Sequence, residues 1–131
     1  MRYLLDTHTV LWALDNTSCL SEKASNVLKD PKTYCVVSVV SLFEIAIKKK
    51  INKLELSHSI KSYTDEIQKT GFHLLPISSL HLDSYEQVPF YENHKDPFDR
   101  LLVATAISEN LAVVTIDEKF DLYKDIITII W

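Results

Sequence analysis

At 131 residues the chain is read as one domain, long enough to bury a sizeable core, and its apolar and charged fractions of 47% and 24% are those of an ordinary globular protein. No apolar run is long enough to cross a bilayer, and a single glycine, Gly71, excludes a glycine-rich phosphate loop. The formal net charge of −4 argues against bulk nucleic-acid binding, unless carboxylates gather around divalent cations that reverse the local field.

Arg2 to Leu5 is short and apolar and ends on Asp6, the pattern of a buried strand with an acid at its C-terminal end. The early acid is unlike a signal peptide, so the expected compartment is the cytoplasm. Asp6 or Thr7 can cap a helix over about His8 to Leu14, followed by a polar link from Asp15 to Leu20. Ser21-Glu22-Lys23-Ala24 opens a second helix, which Asp30-Pro31 ends. Cys19 and Cys35 have neither disulfide-framework nor metal-ligand spacing and read as ordinary thiols.

Tyr34 to Ser38 is the second strand, rich in β-formers, with Val39 and Val40 extending its apolar run. Ser41 is placed to cap a helix containing Glu44, Ile45, Ile47 and Lys48. A carboxylate in such apolar company must be paired, metal-bound or on the exposed stripe. Lys48-Lys49-Lys50 and Lys53 read as a solvated helix end, where cations suit the dipole; contact with a phosphate backbone is the functional alternative. A helix from Ser57 to Thr70 ends at Gly71. A third strand spans Phe72 to Ile77, which Pro76 confines to an edge or an end. Ser79 to Glu86 reads as helix and Val88 to Lys95 as loop.

The segment from His94 to Ala106 turns abruptly from charged to apolar. Asp96 sits where an N-cap belongs, Pro97 suits the first helical position, and Phe98, Leu101, Leu102 and Thr105 recur at helical spacing to about Glu109, with Asn110 as the stop. Asp99 therefore lies in a helix's first turn, where it either complements the dipole or joins a site. Leu111 to Ile116 is an apolar strand that ends at Asp117, a short helix or turn follows, and Ile126 to Trp131 is the last strand.

Strands alternating with helices specify an α/β fold with a mainly parallel sheet, whose sites form beyond the carboxyl ends of the strands. Asp6 and Asp117 each follow an apolar strand, Asp99 opens a helix, and Glu44 lies on the helix after strand two. Singly, each is explained as a cap, turn or surface acid. Together in one pocket they would repel one another unless cations neutralised them, and oxygen-only ligands select Mg²⁺ or Mn²⁺. Two such ions can clamp the attacking and leaving oxygens of a phosphodiester displacement.

Leu4-Leu5-Asp6-Thr7-His8, Ser41-Leu42-Phe43-Glu44-Ile45-Ala46-Ile47-Lys48, His94-Lys95-Asp96-Pro97-Phe98-Asp99-Arg100-Leu101-Leu102 and Val114-Thr115-Ile116-Asp117 occur in this order. They resemble the PIN-domain ribonucleases, in particular the VapC-type toxins of bacterial toxin–antitoxin pairs, over nearly the whole chain including Trp131. The resemblance implies a three-layer α/β/α fold, a Mg²⁺- or Mn²⁺-dependent endoribonuclease, neutralisation by a cognate antitoxin, and homodimerisation. It assigns Asp6, Glu44 and Asp99 as the core metal-site acids and Asp117 as the fourth. Thr115 falls where the family often has a hydroxyl near the metal. Asp96 is left open between cap, ligand and a partner behind the ligands, and His8, His94 and Arg100 are candidates to touch substrate or antitoxin. Asn52 stands where the family commonly has glycine before the Lys-Leu pair. A non-catalytic PIN-like binding module and a haloacid-dehalogenase-like phosphatase are the alternatives; the latter is disfavoured because His8 occupies the second position of that family's Asp-x-Asp signature.

Overall fold

The computed structural model describes residues 1–56 and 58–131. Five parallel strands, β1 (Arg2–Leu5), β2 (Tyr34–Ser38), β3 (His73–Leu75), β4 (Ala112–Val114) and β5 (Ile129–Ile130), form one sheet in the order β3-β2-β1-β4-β5. Helices α1 (Thr7–Asp15), α2 (Glu22–Lys29), α3 (Val39–Lys50), α4 (Ile60–Lys69), α5 (Ser79–Gln87) and α6 (Pro97–Glu109) cover it. Tyr3 and Leu5 point into one apolar cluster, with Val10, Leu42, Ile45 and Ile67. Leu4 points into the other, with Val36, Leu102, Val103 and Phe120. Both faces are therefore buried, which is why the strands read as unbroken apolar runs. Leu4, Leu5, Val113 and Val114 retain no accessible surface, and burial of each such side chain contributes about 1.5–3 kcal/mol. This is the expected three-layer α/β/α arrangement.

From β1 the chain winds outward to β2 and β3, and α6 then carries it back across β1 to β4 and β5. The winding directions diverge between β1 and β4, where open α/β sheets form their crevice at the carboxyl ends. Leu5 pairs with Val114 in register, so Asp6 and Thr115 emerge side by side.

Local chemistry sets most boundaries. Asp6, Ser21, Ser38, Ser59, Ser78 and Asp96 each cap a helix by accepting a backbone N–H. The third helix departs from expectation: its cap is Ser38, whose Oγ accepts from Val40 N–H at 3.1 Å, and Ser41 is buried inside α3. Val39 and Val40, strand-forming by propensity, are helical because β2 ends at its cap, and tertiary context overrides a weak preference. The expected start of the fourth helix at Ser57 lies outside the described residues. β4 is shorter than the run Leu111 to Ile116, because Leu111 N–H closes the end of α6 on Ala106 C=O after Asn110 turns left-handed at φ 55°. β5 is likewise short, since Ile126 and Ile127 donate to Tyr123 C=O in a turn and only Ile129–Ile130 reach the sheet.

Candidate metal centre

Asp6 leaves β1 and caps α1, and its own N–H donates to Val114 C=O at 3.1 Å, tying it to β4. Its Oδ1 accepts from Thr7 N–H at 2.7 Å and its Oδ2 from the Thr115 hydroxyl at 2.8 Å. These bonds favour the carboxylate, but burial outweighs them, and the Asp6 carboxyl is pushed above its ordinary range. Thr115 stands just beyond β4, at the end of the sheet where Asp6 lies. It also accepts from Asp117 N–H at 3.0 Å, so one hydroxyl links the ends of β1 and β4.

Glu44 is buried on α3. Its Oε1 accepts from the Thr7 hydroxyl at 2.9 Å, and its Oε2 lies 2.7 Å from Lys48 Nζ, one helical turn on. Thr7 Oγ1 also lies 3.0 Å from Ser41 Oγ. With its one proton committed to Glu44, Thr7 accepts there from Ser41. Of the three options for a carboxylate in this apolar stretch, Glu44 is paired.

Asp99 stands in the first turn of α6, 8% exposed. Burial raises its pKa most, and the charges of Asp6, Asp96, Glu44 and Asp117 add to this, bringing it to about 8. The other predicted acids thus lie near enough to Asp99 for their charges to act on it. They do not form a ready-made cluster, and among the described residues no group of three His, Cys, Asp or Glu side chains is arranged to hold an ion. Asp99 Oδ2 lies 3.1 Å from His94 Nε2, and His94 Nδ1 lies 2.6 Å from Tyr123 Oη. When Asp99 is ionised it can only accept, so Nε2 carries the imidazole proton and Nδ1 receives the Tyr123 O–H. Burial lowers the His94 pKa, which keeps that ring neutral.

Asp96 caps α6, its Oδ1 accepting from Phe98 N–H at 2.8 Å and Asp99 N–H at 3.4 Å. Asp117 caps the 3₁₀ turn Glu118–Tyr123 by accepting from Lys119 N–H at 3.0 Å. His8 is exposed beside Trp12, close enough for its charge to favour ionised Asp6. Two of the candidates, Arg100 and His94, are buried. Arg100, a candidate to touch substrate or antitoxin, is 4% exposed and donates to Pro89 C=O at 2.6 Å and Val88 C=O at 3.1 Å between the rings of Tyr85 and Phe90. It fastens the loop before α6. His94, the other, is also buried and backs Asp99.

The side-chain partners of Thr7, Ser41, Lys48 and Tyr123 are additional to the sequence reading, which has Thr7 and Ser41 as caps and Lys48 in a basic cluster. Lys48 was legible as the i+4 partner of Glu44; the others follow buried contacts that no local spacing encodes. A hollow of about 400 Å³ lined by Arg2, Asn110 and Lys124 lies at the opposite end of the sheet and contains none of these acids.

The chain matches the family model of the PIN domain over residues 3–126. It belongs to the PIN domain family. Among solved structures, this PIN domain is similar to VapBC2 from Rickettsia felis bound to a DNA fragment from its promoter, with TM-score 0.65 and 20% identity, covering 98% of this chain and 97% of that one. It is similar to VapBC-1 from nontypeable Haemophilus influenzae, with TM-score 0.66, 18% identity and coverages of 98% and 96%. It is also similar to VapBC-5 from Mycobacterium tuberculosis, a member of the VapBC family of toxin–antitoxin systems, with TM-score 0.61, 14% identity and coverages of 98% and 94%. At these identities the likeness is one of fold. No curated protein matches the chain.

Proposed function

We propose that this PIN domain is a Mg²⁺- or Mn²⁺-dependent endoribonuclease acting in the cytoplasm as the toxin of a toxin–antitoxin pair. The observation that carries the reading is the burial of Asp6, Glu44 and Asp99, brought from three separate elements, with the Asp99 carboxyl raised most by its burial and further by the charges of Asp6, Asp96, Glu44 and Asp117. Such an arrangement disfavours its own ionised form and fits a set of oxygen donors awaiting a hard cation. Asp6, Glu44 and Asp99 would hold the ion, with Asp117 beside them; when bound, it supplies charge stabilisation at the reacting phosphate oxygens.

The chain's own part is orientation. Thr115 and Thr7 fix the rotamers of Asp6 and Glu44, and the Tyr123–His94 pair fixes Asp99 from behind. The hydroxyls of Thr7 and Thr115 are each committed to a carboxylate, so neither is free to serve as a nucleophile. The similarity to VapBC complexes supports a cognate antitoxin as partner, and a homodimer follows from the same reading. The family assignment leaves the dehalogenase-like alternative without support.

The test is cleavage of labelled single-stranded RNA by purified protein with Mg²⁺, Mn²⁺ or EDTA. Cleavage is expected with either ion, absent in EDTA, and lost in Asp6→Asn at unchanged circular dichroism. Equal cleavage by Asp6→Asn, or full activity in EDTA, overturns the assignment in favour of a non-catalytic binding module or another chemistry.

A further inference from the structure

The oxygens of the core acids differ in what holds them. Asp6 is pinned on both oxygens by Thr7 and Thr115, buried residues fixed at a helix start and beyond a strand end. Glu44 Oε1 is pinned by the Thr7 hydroxyl. Glu44 Oε2 is different: among the described residues its partner is the Lys48 ammonium, at 2.7 Å. The Lys48 side chain is 34% exposed and that of Glu44 8%, so the lysine stem runs in from solvent and its head reaches a buried acid. Asp96 and Asp99 also attract that ammonium. Of the three consecutive lysines, Lys49 is tied to His58 C=O at 2.8 Å, and Lys48 is the one seated on a crevice carboxylate. A flexible four-carbon stem lets the head leave without any backbone movement.

We propose that Lys48 is a displaceable counter-ion. In the metal-free chain it neutralises Glu44; a divalent cation competes with it for Glu44 Oε2; and the released ammonium, still tethered at the rim, binds a non-bridging oxygen of the RNA phosphate. The step exchanges ionic contacts and makes or breaks no covalent bond. The inference rests on the metal-site reading above and adds a phosphate-binding role to it. A purely structural ion pair is the competing account; it predicts a loss of stability in the neutral variants without tighter Mn²⁺ binding.

The experiment is calorimetric titration of Mn²⁺ into wild type, Lys48→Met, Lys48→Gln, Lys48→Arg and Asp6→Asn, each checked by circular dichroism, together with kcat and KM on RNA. Lys48→Met and Lys48→Gln are expected to bind Mn²⁺ about fivefold more tightly, about 1 kcal/mol, and to raise KM severalfold with a smaller change in kcat. Lys48→Arg should keep wild-type Mn²⁺ affinity and recover most of the KM. Unchanged or weaker Mn²⁺ binding in both neutral variants, or an unchanged KM, overturns the proposal. The two levels separate cleanly: Mn²⁺ binding that survives Asp6→Asn sinks the metal site itself and the Lys48 role with it. Binding lost in Asp6→Asn but unaltered in the Lys48 variants sinks only the latter.

Discussion

Replacing Asp99 by Asn should stabilise the metal-free protein while destroying its cation response. The Asp99 carboxyl has an ordinary pKa of 3.8 and reaches about 8 in the fold, through burial first and the charges of Asp6, Asp96, Glu44 and Asp117 second. Well below pH 3.8 the group is protonated in both folded and unfolded chains and carries no penalty. As pH rises toward 8, the unfolded chain ionises freely while the folded chain resists, so stability falls across that interval. Each pH unit is worth about 1.4 kcal/mol, so the penalty grows by about 3 kcal/mol between pH 5.5 and pH 8. Asn carries no such penalty and keeps the shape of the side chain. In EDTA the melting temperature of Asp99→Asn should therefore gain on wild type by about 10 °C as pH rises from 5.5 to 8. Added Mg²⁺ at a hundred times its dissociation constant should return about 2.7 kcal/mol to wild type and nothing to the variant. Differential scanning fluorimetry at both pH values, with EDTA and with Mg²⁺, reads all four states. A wild type and variant that melt in parallel across this pH range would refute the claim that Asp99 sits in a field of converging carboxylates.

Three further outcomes are expected. Arg100→Leu leaves the Val88 and Pro89 carbonyls without their charged donor and should lose about 2–4 kcal/mol in urea unfolding; Lys in its place should not restore it, because one ammonium cannot reproduce the planar fork. Tyr123→Phe removes the O–H that sets the His94 tautomer, so Mn²⁺ affinity by calorimetry should fall about tenfold or more while the fold persists. Asn52 occupies φ 59°, so Asn52→Gly should raise the unfolding free energy by up to about 1 kcal/mol in chemical denaturation.

Local structure is legible in the sequence wherever one residue does one local job. Asp96, Pro97 and Asn110 mark the limits of α6 by capping chemistry alone, and those limits hold to the residue. Asp6 is found at a strand end because a buried apolar run can stop on an acid only where the chain leaves the core at the sheet edge, whereas β4 ends at Val114 and Asp117 lies beyond it as the cap of the 3₁₀ turn. The Ser38 cap was hidden, since two valines look like more strand until the sheet edge forces a turn. The roles of His94 and Arg100 were hidden for a related reason: a polar residue beside a charged motif reads as surface, and only packing reveals the Tyr123 and loop-carbonyl partners that take it inside. The family's glycine position shows the opposite case, where Asn52 keeps the left-handed turn without glycine.

The hydroxyl bridge from Thr115 to Asp6 joins positions 109 residues apart. Because β1 is the middle strand and β4 is laid against it late, a chain leaving the ribosome holds Asp6 without this hydroxyl until Thr115 has been translated.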